Sequence, residues 1–307
     1  MRAPVGDVMG EDSPAALTRS DLPPITRPAR TATRQKERAM ALTQYVENPK
    51  FEEYSERFKE HFLMERRGGI LLLKMHTGGG NVKWGWELHR AIGQAFRTIG
   101  SDPENEVMIL TSAGDYWIAG ADSTSFEGEE EDPAFCSYEY MYTDGRRMVN
   151  SLVNEIEIPT IGVIPGPGFH LELALMCDLT ICSDTAILAD MHFEREWVPG
   201  DGIHSAFIEL LGVKRAAWVL LMNEQIDAQK ALEYALVNEV VAKDELMDRA
   251  WQIAEQLASK KRITRRMATQ IVRRPWKKRI ADDLDAGWTA EMYAYLADQP
   301  RHPRDTS

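Results

Sequence analysis

The segment Gly166-Pro167-Gly168-Phe169-His170-Leu171-Glu172-Leu173-Ala174 marks a point where a strand is predicted to turn into a helix. The apolar run before it, residues 160–164, is typical of a buried strand, and residues 170–177 are predicted to form a short apolar helix. Glycines let a ligand approach the backbone closely, and the first N–H groups of a helix have no partner within the helix. The segment is therefore predicted to present backbone N–H groups to a ligand.

A second loop, Ile118-Ala119-Gly120-Ala121-Asp122, has the same character and also follows a predicted strand. Two such loops can each aim one N–H group at a carbonyl oxygen and so form an oxyanion hole. Either loop alone is equally typical of an ordinary turn. The order and spacing of the two loops together favour the oxyanion hole.

Outward from these loops, strands and helices alternate over the first two thirds of the chain, and helices fill the last third. Predicted strands are residues 69–76, 106–111, 160–164, 179–182 and 186–189, and predicted helices are 84–99, 138–152, 170–177 and most of 206–298. This alternation predicts an α/β fold with a helical appendix. We predict a disordered N-terminal extension over residues 1–45, a core over 46–240 and a C-terminal helical region over 241–307.

The two loops resemble those of the crotonase (enoyl-CoA hydratase/isomerase) superfamily, in which an Ala-Gly-Ala-Asp loop and a Gly-rich helix start supply two oxyanion N–H groups. By this resemblance the donors are the backbone N–H groups of Ala121 and Phe169. Val198-Pro199-Gly200-Asp201-Gly202 is similar to the Pro-Gly turn of the same superfamily. The resemblance implies a crotonase (ClpP/crotonase-like) ββα spiral core, a C-terminal helical trimerisation region, and a homotrimer or dimer of trimers.

Departures from the superfamily pattern indicate the branch. A typical hydratase has glycines where this chain has Phe169 and His170, and a catalytic glutamate where it has His192. Of the two carboxylates that hydration of an enoyl thioester requires, only Glu172 is kept. Simple hydration is therefore not the activity that this pattern favours.

These substitutions resemble a small branch, the 6-oxocamphor hydrolase-like β-diketone hydrolases. The matching positions are Trp84, His89, His170, His192, Asp201, His204 and Glu291. The resemblance implies cleavage of a carbon–carbon bond between two carbonyls, by a retro-Claisen hydrolysis that needs no cofactor. One departure from the branch is the Ala-Gly-Ala-Asp loop, which is more like that of ordinary crotonases and leaves a CoA-thioester substrate open.

Roles follow from the chemistry that this reaction needs. His192 is predicted to be the base that deprotonates water, because a neutral imidazole accepts a proton near neutral pH. Asp201 is predicted to orient it, since an adjacent carboxylate fixes the tautomer of an imidazole. His170 is predicted to donate to the enolate oxygen and to return the proton to carbon, and Glu291 to orient His192 or the water.

Two further residues are predicted to contact substrate. The indole N–H of Trp84 can donate to a carbonyl, and His89 is a weaker candidate for the same pocket. Each has a structural alternative: Trp84 lies on an apolar stripe, a lone histidine is more often structural, and Glu291 on a late helix would ordinarily be solvated. The acidic residues 129–132 are predicted to form a solvated loop.

Composition limits the partners. The formal net charge is -12 and the sequence pI is near 5.2, which disfavours nucleic acid and anionic membrane surfaces. No apolar run reaches the roughly 18 residues of a membrane helix, and we recognise no secretory signal. The three cysteines are odd in number and show no CxxC spacing, so a reducing cytoplasm is expected. The histidines lack metal-site spacing, and we expect no metal.

Three functional hypotheses remain after this reading. The leading one is a cofactor-free hydrolase of cyclic or linear β-diketones, with a small-molecule diketone as its partner. The alternative is a CoA-thioester hydratase, isomerase or hydrolase, for which the basic stretch Lys260 to Arg266 is the candidate phosphate contact. The third is a non-catalytic crotonase-like protein that acts through its oligomer surface.

Overall fold

A computed structural model describes residues 46–298 of the chain. The predicted disordered extension, residues 1–45, lies outside the described residues, as do residues 299–307. Among residues 46–298, no helix combines the length and the apolar character that a membrane crossing requires.

The centre of the fold is a six-stranded sheet with the order β1-β2-β4-β6-β7-β10. These strands are β1 (Phe62–Arg67), β2 (Ile70–Met75), β4 (Val107–Ser112), β6 (Thr160–Ile164), β7 (Leu179–Ser183) and β10 (Glu239–Val241). The four remaining strands form two short pairs, β3 (Lys83–Trp84) with β5 (Gly120–Ala121) and β8 (Ile187–Leu188) with β9 (Ile226–Asp227). β1 runs antiparallel to β2, and every other pairing in the main sheet is parallel. Parallel strands are covered on both faces, which explains why β4 and β6 are buried throughout.

The helices cover the sheet and extend the chain beyond it. They are α1 (Phe51–Arg57), α2 (Trp86–Ser101), α3 (residues 133–155), α4 (Glu172–Leu175), α5 (Ile203–Leu211), α6 (Val213–Met222), α7 (Ala228–Glu233), α8 (Leu246–Ala258), α9 (Arg262–Val272) and α10 (Arg274–Asp298). The segments Cys136–Gly145 and Ser151–Glu155 of α3 are π-helical. Such wider turns inside α-helices are frequent at functional sites.

Alternation along β2 divides the core in two, because successive side chains of a strand point to opposite faces. Leu71 and Leu73 pack in the larger cluster, with α2, α3 and the loops that carry the site. Ile70 and Leu72 pack in the smaller cluster, against α8. The site therefore lies on the face of the sheet opposite α8.

One buried ion pair ties the late helices to this core. The Arg273 guanidinium, between α9 and α10, pairs with Asp178 just before β7. The guanidinium also donates to the backbone carbonyl of Ile156 and, at 3.1 Å, to that of Ile158. The arginine is almost fully buried, so these acceptors satisfy a charge that would otherwise be expensive.

The predicted fold class is confirmed: the protein has an α/β crotonase-type core followed by helices. The helix predicted from Trp84 begins instead at Trp86, because Gly85 is extended and Trp84 pairs with Ala121 across the β3–β5 ladder. Strand β1 was not predicted, and the predicted boundary at residue 240 lies inside β10. The uninterrupted helical region begins at Leu246.

Candidate active site

A cavity of about 320 Å³ brings seven of the eight predicted site residues together. Those that line it are Trp84, His89, Ala121, Phe169, His170, His192 and Glu291. The eighth, Asp201, is fully buried behind the two histidines. Residues spread over more than 200 positions of the chain therefore form one site.

The two predicted oxyanion loops pack directly on each other. A side chain at Gly168 would meet the backbone nitrogen of Ile118 at 2.6 Å and the Cβ of Trp117 at 2.8 Å. Glycine is therefore required where the loops meet. The Trp117 indole donates to the carbonyl of His170 at 3.1 Å and links the loops a second time.

The backbone of both loops borders the cavity. Ala121 pairs with Trp84, and the neighbouring N–H of Asp122 donates to the Trp84 carbonyl at 2.7 Å. Phe169 follows Gly168, which forms an isolated parallel β-bridge with Leu188. No acceptor for the Phe169 N–H is found within residues 46–298. Both Ala121 and Phe169 border the cavity, so their predicted role as donors remains a prediction with suitable placement.

His170 occupies an unusual backbone position, with a positive φ of 53°. A residue other than glycine is uncommon there, although histidine is tolerated better than most, and strained backbone positions cluster at functional sites. Its Nδ1 donates to Glu172 Oε1 at 3.1 Å and lies 2.9 Å from Asp201 Oδ2. The ring stacks on Trp84, with centroids 3.7 Å apart and planes inclined by 20°.

Electrostatics hold His170 in the charged form. Burial alone would lower the pKa of His170, but the carboxylates of Glu172 and Asp201 outweigh it and raise the pKa to about 9. Burial and the neighbouring Asp201 raise the pKa of Glu172 to about 7. Burial opposes ionisation of Asp201, yet the imidazoles of His192 and His170 lower its pKa below the usual range. Near neutral pH His170 is therefore an imidazolium, a donor at both nitrogens.

The orienting partner of His192 differs from the prediction. Its Nδ1 lies 2.6 Å from Oδ1 of Asp190, whereas Asp201 is 3.7 Å from the other nitrogen, Nε2. Asp201 lies two residues before α5, where its Oδ1 accepts the N–H of Ile203, the first residue of the helix, at 3.0 Å and its Oδ2 faces His170. The prediction that Asp201 orients His192 is thus wrong in geometry, because this position turns the carboxylate toward the other histidine.

Nε2 of His192 faces two carboxylates. It lies 3.7 Å from Asp201 Oδ2 and 3.8 Å from Glu291 Oε1, distances too long for direct hydrogen bonds. Burial would lower the pKa of His192, but Asp201, Asp190 and Glu291 raise it well above the ordinary value. Burial raises the pKa of Glu291 to about 8, against the opposing effect of His192. His192 and Glu291 therefore both hold a proton more tightly than the free side chains do.

Glu291 reaches the site of its own chain from helix α10. Its Oε2 accepts the N–H of Gly200 at 3.1 Å. A side chain on Gly200 would overlap the carbonyl of Gly287, so these two glycines let the Pro-Gly turn and α10 meet closely. The expectation that a glutamate here is solvated is wrong, since Glu291 is buried.

His89 is fully buried, and its Nδ1 lies 2.8 Å from the carbonyl of Tyr140. Burial, reinforced by the charge on His170, lowers the pKa of His89 to about 3. The neutral ring carries its proton on Nδ1 and donates it to that carbonyl. The ring also makes edge contacts with Trp84 and Trp288. His89 can contact substrate only as a neutral group, so it does not supply charge.

Several residues of the cavity were not predicted. Glu129, expected in a solvated loop, lines the cavity and accepts from the indole of Trp86 and the hydroxyl of Tyr295. The others that line it are Trp86, Phe126, Met141, Met191, Arg195, Trp197 and Trp288, and Asp190 contacts His192 without lining the cavity. Only the proximity of Asp190 to His192 offered a signal in the sequence; the rest depend on how α3, α10 and the loop before Pro133 pack.

Two overlapping groups of side chains are close enough to surround a cation. They are His170 with Glu172 and Asp201, and His192 with Asp201 and Glu291, each group having its ligand atoms within 4.8 Å of one another. Among the described residues, these side chains also contact one another as ion pairs. The arrangement is equally that of an acid–base site, and the expectation of no metal stays a prediction.

Comparison with known proteins adds to this geometry. The sequence profile of the family described as enoyl-CoA hydratase/isomerase matches residues 65–299. A solved β-diketone hydrolase from the cyanobacterium Anabaena, bound to (S)-3-oxocyclohexyl acetic acid, is 31% identical, with a TM-score of 0.76 over 80% of this chain and 97% of that one. A solved enoyl-CoA hydratase/isomerase from Mycobacterium paratuberculosis has a TM-score of 0.72 at 20% identity over 78% and 95% of the two chains, which shows the shared fold.

Curated relatives carry CoA-related names. A carnitinyl-CoA dehydratase from Salmonella enteritidis is 31% identical over 55% of this chain and 64% of its own length. A probable mitochondrial enoyl-CoA hydratase 2 from Arabidopsis thaliana is 27% identical over 65% of each chain. The chain thus spans somewhat less than two thirds of the length of these relatives.

Proposed function

We propose that this chain, which belongs to the enoyl-CoA hydratase/isomerase family, is a hydrolase that cleaves the carbon–carbon bond between the two carbonyls of a β-diketone. The observation that carries the proposal is the pair of histidines in one cavity, with ring centroids 5.9 Å apart and different electrostatic surroundings. His170 is held as an imidazolium by Glu172 and Asp201, while Nε2 of His192 faces Glu291 at 3.8 Å. One ring can donate a proton while the other accepts one.

The reaction begins with water. The pair of His192 and Glu291, once it has lost a proton, takes one from the water that attacks a carbonyl carbon of the substrate. The carbonyl oxygen becomes an oxyanion, which the N–H groups of Ala121 and Phe169 stabilise in the predicted oxyanion hole. The base is buried and faces the cavity, as a general base must.

The second step breaks the carbon–carbon bond. As the carboxylic acid re-forms its double bond to oxygen, the electron pair of the cleaved bond passes to the second carbonyl and forms an enolate. Nδ1 of His170 is occupied by Glu172 and Asp201, so Nε2–H is the group that donates to the enolate oxygen, with the indole N–H of Trp84 beside it. Protonation of the α-carbon then gives a keto acid, with one water consumed and no other reactant.

The walls of the cavity fit a small carbocyclic substrate. Aromatic rings line much of it, from Trp84, Trp86, Phe126, Phe169, Trp197 and Trp288. Its volume is near the lower end of the roughly 300–1,000 Å³ of small-molecule pockets. A compact apolar diketone would bury its ring against these side chains and direct its two oxygens toward the histidines.

Similarity supports the same choice. The β-diketone hydrolase from Anabaena carries a bound keto acid, which has the functional groups that retro-Claisen cleavage leaves in one molecule. The likeness to a solved hydratase at 20% identity concerns the fold alone, whereas the carnitinyl-CoA dehydratase at 31% identity favours the CoA-thioester alternative. The proposal for this chain therefore rests on its site and on the Anabaena enzyme.

The second candidate is a CoA-thioester reaction, favoured by the oxyanion loops and by the retained Glu172. Glu172 is, however, fully buried and accepts from His170, so it is already engaged. Within the basic stretch proposed for CoA phosphates, Arg265 is engaged: it donates to the carbonyls of Ala258 and Lys260 at 2.9 and 2.8 Å. The exposed Lys260 and Lys261 remain the phosphate contacts that the CoA hypothesis would use.

We further propose that the protein assembles as a homotrimer or a dimer of trimers through its C-terminal helices. Helix α9 presents Ile263, Met267 and Ile271 to solvent, each more than half exposed. Apolar side chains grouped on one helix face favour association. Light scattering after size-exclusion chromatography tests this, and a monomeric mass would contradict it.

The function is tested by incubating the purified protein with a bicyclic β-diketone in ¹⁸O-labelled water, without CoA. We expect a keto acid whose carboxylate carries one ¹⁸O, detected by mass spectrometry, and no product with His192→Ala. Inert diketones together with turnover of an enoyl-CoA would refute the proposal in favour of the thioester reaction. No turnover of either class by a folded protein would refute both.

A further inference from the structure

We propose that Asp190 is a positioning residue that holds His192 in the tautomer with its proton on Nδ1 and its lone pair on Nε2. The observation behind this is the contact of 2.6 Å between Asp190 Oδ1 and His192 Nδ1. Because a carboxylate only accepts hydrogen bonds, Nδ1 must be the donor. This leaves Nε2, the nitrogen that faces Glu291, as the proton acceptor of the neutral ring.

The contact is buried and short. The side chain of Asp190 is 3% exposed and that of His192 is 11% exposed. In such surroundings a charge-assisted hydrogen bond is stronger than in water. The second oxygen of Asp190, Oδ2, has no hydrogen-bond partner among the described residues, so the bond to His192 is the contact that satisfies this carboxylate.

Asp190 is also held in place by its backbone. It follows β8 directly, and the N–H of the preceding Ala189 donates to the carbonyl of Gly168 at 3.2 Å. Gly168 in turn precedes the predicted oxyanion donor Phe169. The segment that carries Asp190 and His192 is thus fixed to the loop that would bind the reacting oxygen. A base oriented by Asp190 keeps a constant distance from that loop.

The other charged groups near His192 cannot do the same. Asp201 and Glu291 both face Nε2, at 3.7 and 3.8 Å, and His170 lies edge-on to the ring with its own nitrogen engaged elsewhere. A proton on Nε2 would place the Nδ1 lone pair against the carboxylate of Asp190, which is repulsive. The contact at Nδ1, at 2.6 Å, is much closer than the two carboxylates that face Nε2, and it therefore decides the tautomer.

The first test reads the tautomer in the free enzyme and does not depend on activity. Protein labelled with ¹⁵N-histidine is observed by NMR at a pH where His192 is neutral, and its signals are assigned by their loss in His192→Gln. We expect a protonated Nδ1 that carries a strongly deshielded proton in the wild type, and loss of this signature in Asp190→Asn. A wild-type His192 protonated on Nε2 would overturn the proposal whatever the substrate proves to be.

The second test rests on the proposed function and measures turnover of the diketone. Asp190→Asn is expected to lower kcat by about 10²–10⁴-fold with little change in KM, because the base is misoriented while the binding walls stay intact. Its pH profile should also lose the limb that belongs to the base. Asp184→Asn, which changes an exposed aspartate six residues earlier, is the matched control and should leave kcat unchanged.

The outcomes separate a positioning role from a structural one. If Asp190→Asn only reduces the yield or the Tm, and the folded fraction keeps the wild-type kcat and pH profile, Asp190 has no positioning role. If the wild type hydrolyses no diketone but shows the Nδ1–H signature, the proposed function fails while the role of Asp190 stands. A wild type that is active, with the same tautomer retained in Asp190→Asn, would overturn the role of Asp190 alone.

Discussion

Replacing Trp84 with phenylalanine removes a single hydrogen-bond donor from the proposed site. The indole of Trp84 stacks on His170 with ring centroids 3.7 Å apart, and a phenyl ring can keep most of that contact. What disappears is the indole N–H, for which the described residues contain no hydrogen-bond acceptor. The substitution therefore separates the role of Trp84 as a donor from its role as a wall of the cavity.

The size of the effect depends on when the donor acts. A donor to the oxygen that becomes negative contributes roughly 2.7–4 kcal/mol to the barrier, which corresponds to about 10²–10³-fold in kcat. A donor that binds only the neutral carbonyl contributes about 0.5–1.5 kcal/mol, which would change KM by roughly tenfold or less. Because Trp84 lies against His170, where the enolate oxygen is proposed to form, we expect the larger effect on kcat.

Steady-state kinetics with the diketone, at several pH values, measure the two constants for Trp84→Phe. Trp251→Phe is the matched control: it makes the same change on α8, where the ring lies under the guanidinium of Arg67, and should not alter kcat. A wild-type kcat in Trp84→Phe, with a stable fold by thermal melting, would refute the reasoning that Trp84 stabilises developing charge. An increase in KM alone would assign Trp84 to substrate binding.

Three further predictions follow. His192→Gln should lose about 10²–10⁴-fold in kcat while its thermal melt stays close to that of the wild type; unchanged turnover would rule out His192 as the base. The pH profile of kcat/KM should be bell-shaped. Activity is lost on the acid side because the pair of His192 and Glu291 must lose a proton to act as base; neighbouring carboxylates raise the pKa of His192 well above its ordinary value, and burial raises the pKa of Glu291 to about 8. Activity is lost above about 9 because His170, whose pKa is about 9, must keep its proton. A profile that keeps rising to pH 10 would exclude His170 as the donor. Arg273→Met should lower the free energy of unfolding in urea by about 3–5 kcal/mol because it leaves the buried Asp178 without its partner, and a loss under about 1 kcal/mol would contradict that account.

The positions of the site residues were predictable from the sequence, but the contacts between them were not. The resemblance located His170, His192 and Glu291 on the residues that line the cavity. It assigned the wrong carboxylate to His192, because acids two and nine residues away both lie within reach of a loop. The direction of the Asp201 carboxylate depends on the start of α5, and a one-dimensional pattern does not contain that orientation.

The strands and helices were likewise predictable only where the local sequence carries the signal. Strands with apolar runs, such as β2 and β6, were predicted close to their observed bounds because burial on both faces leaves a plain signal. Strand β1 carries Glu65 and two arginines on its half-exposed residues, so it lacked that signal. Trp84 fits a helical stripe by spacing, yet pairing with Ala121 holds it in a strand. Long-range pairing of this kind overrides local preference.

Helix α10 is the last helix among the described residues, and it delivers Glu291 to loops that are synthesised far earlier. Under the proposed mechanism, a chain whose sheet has already formed still lacks part of its base until this helix docks against Gly200. Regain of turnover during refolding should therefore lag behind the signals that report sheet formation. Turnover would then report the last step of folding. The enzyme would be inert toward diketones in every partly folded state that precedes the docking of α10.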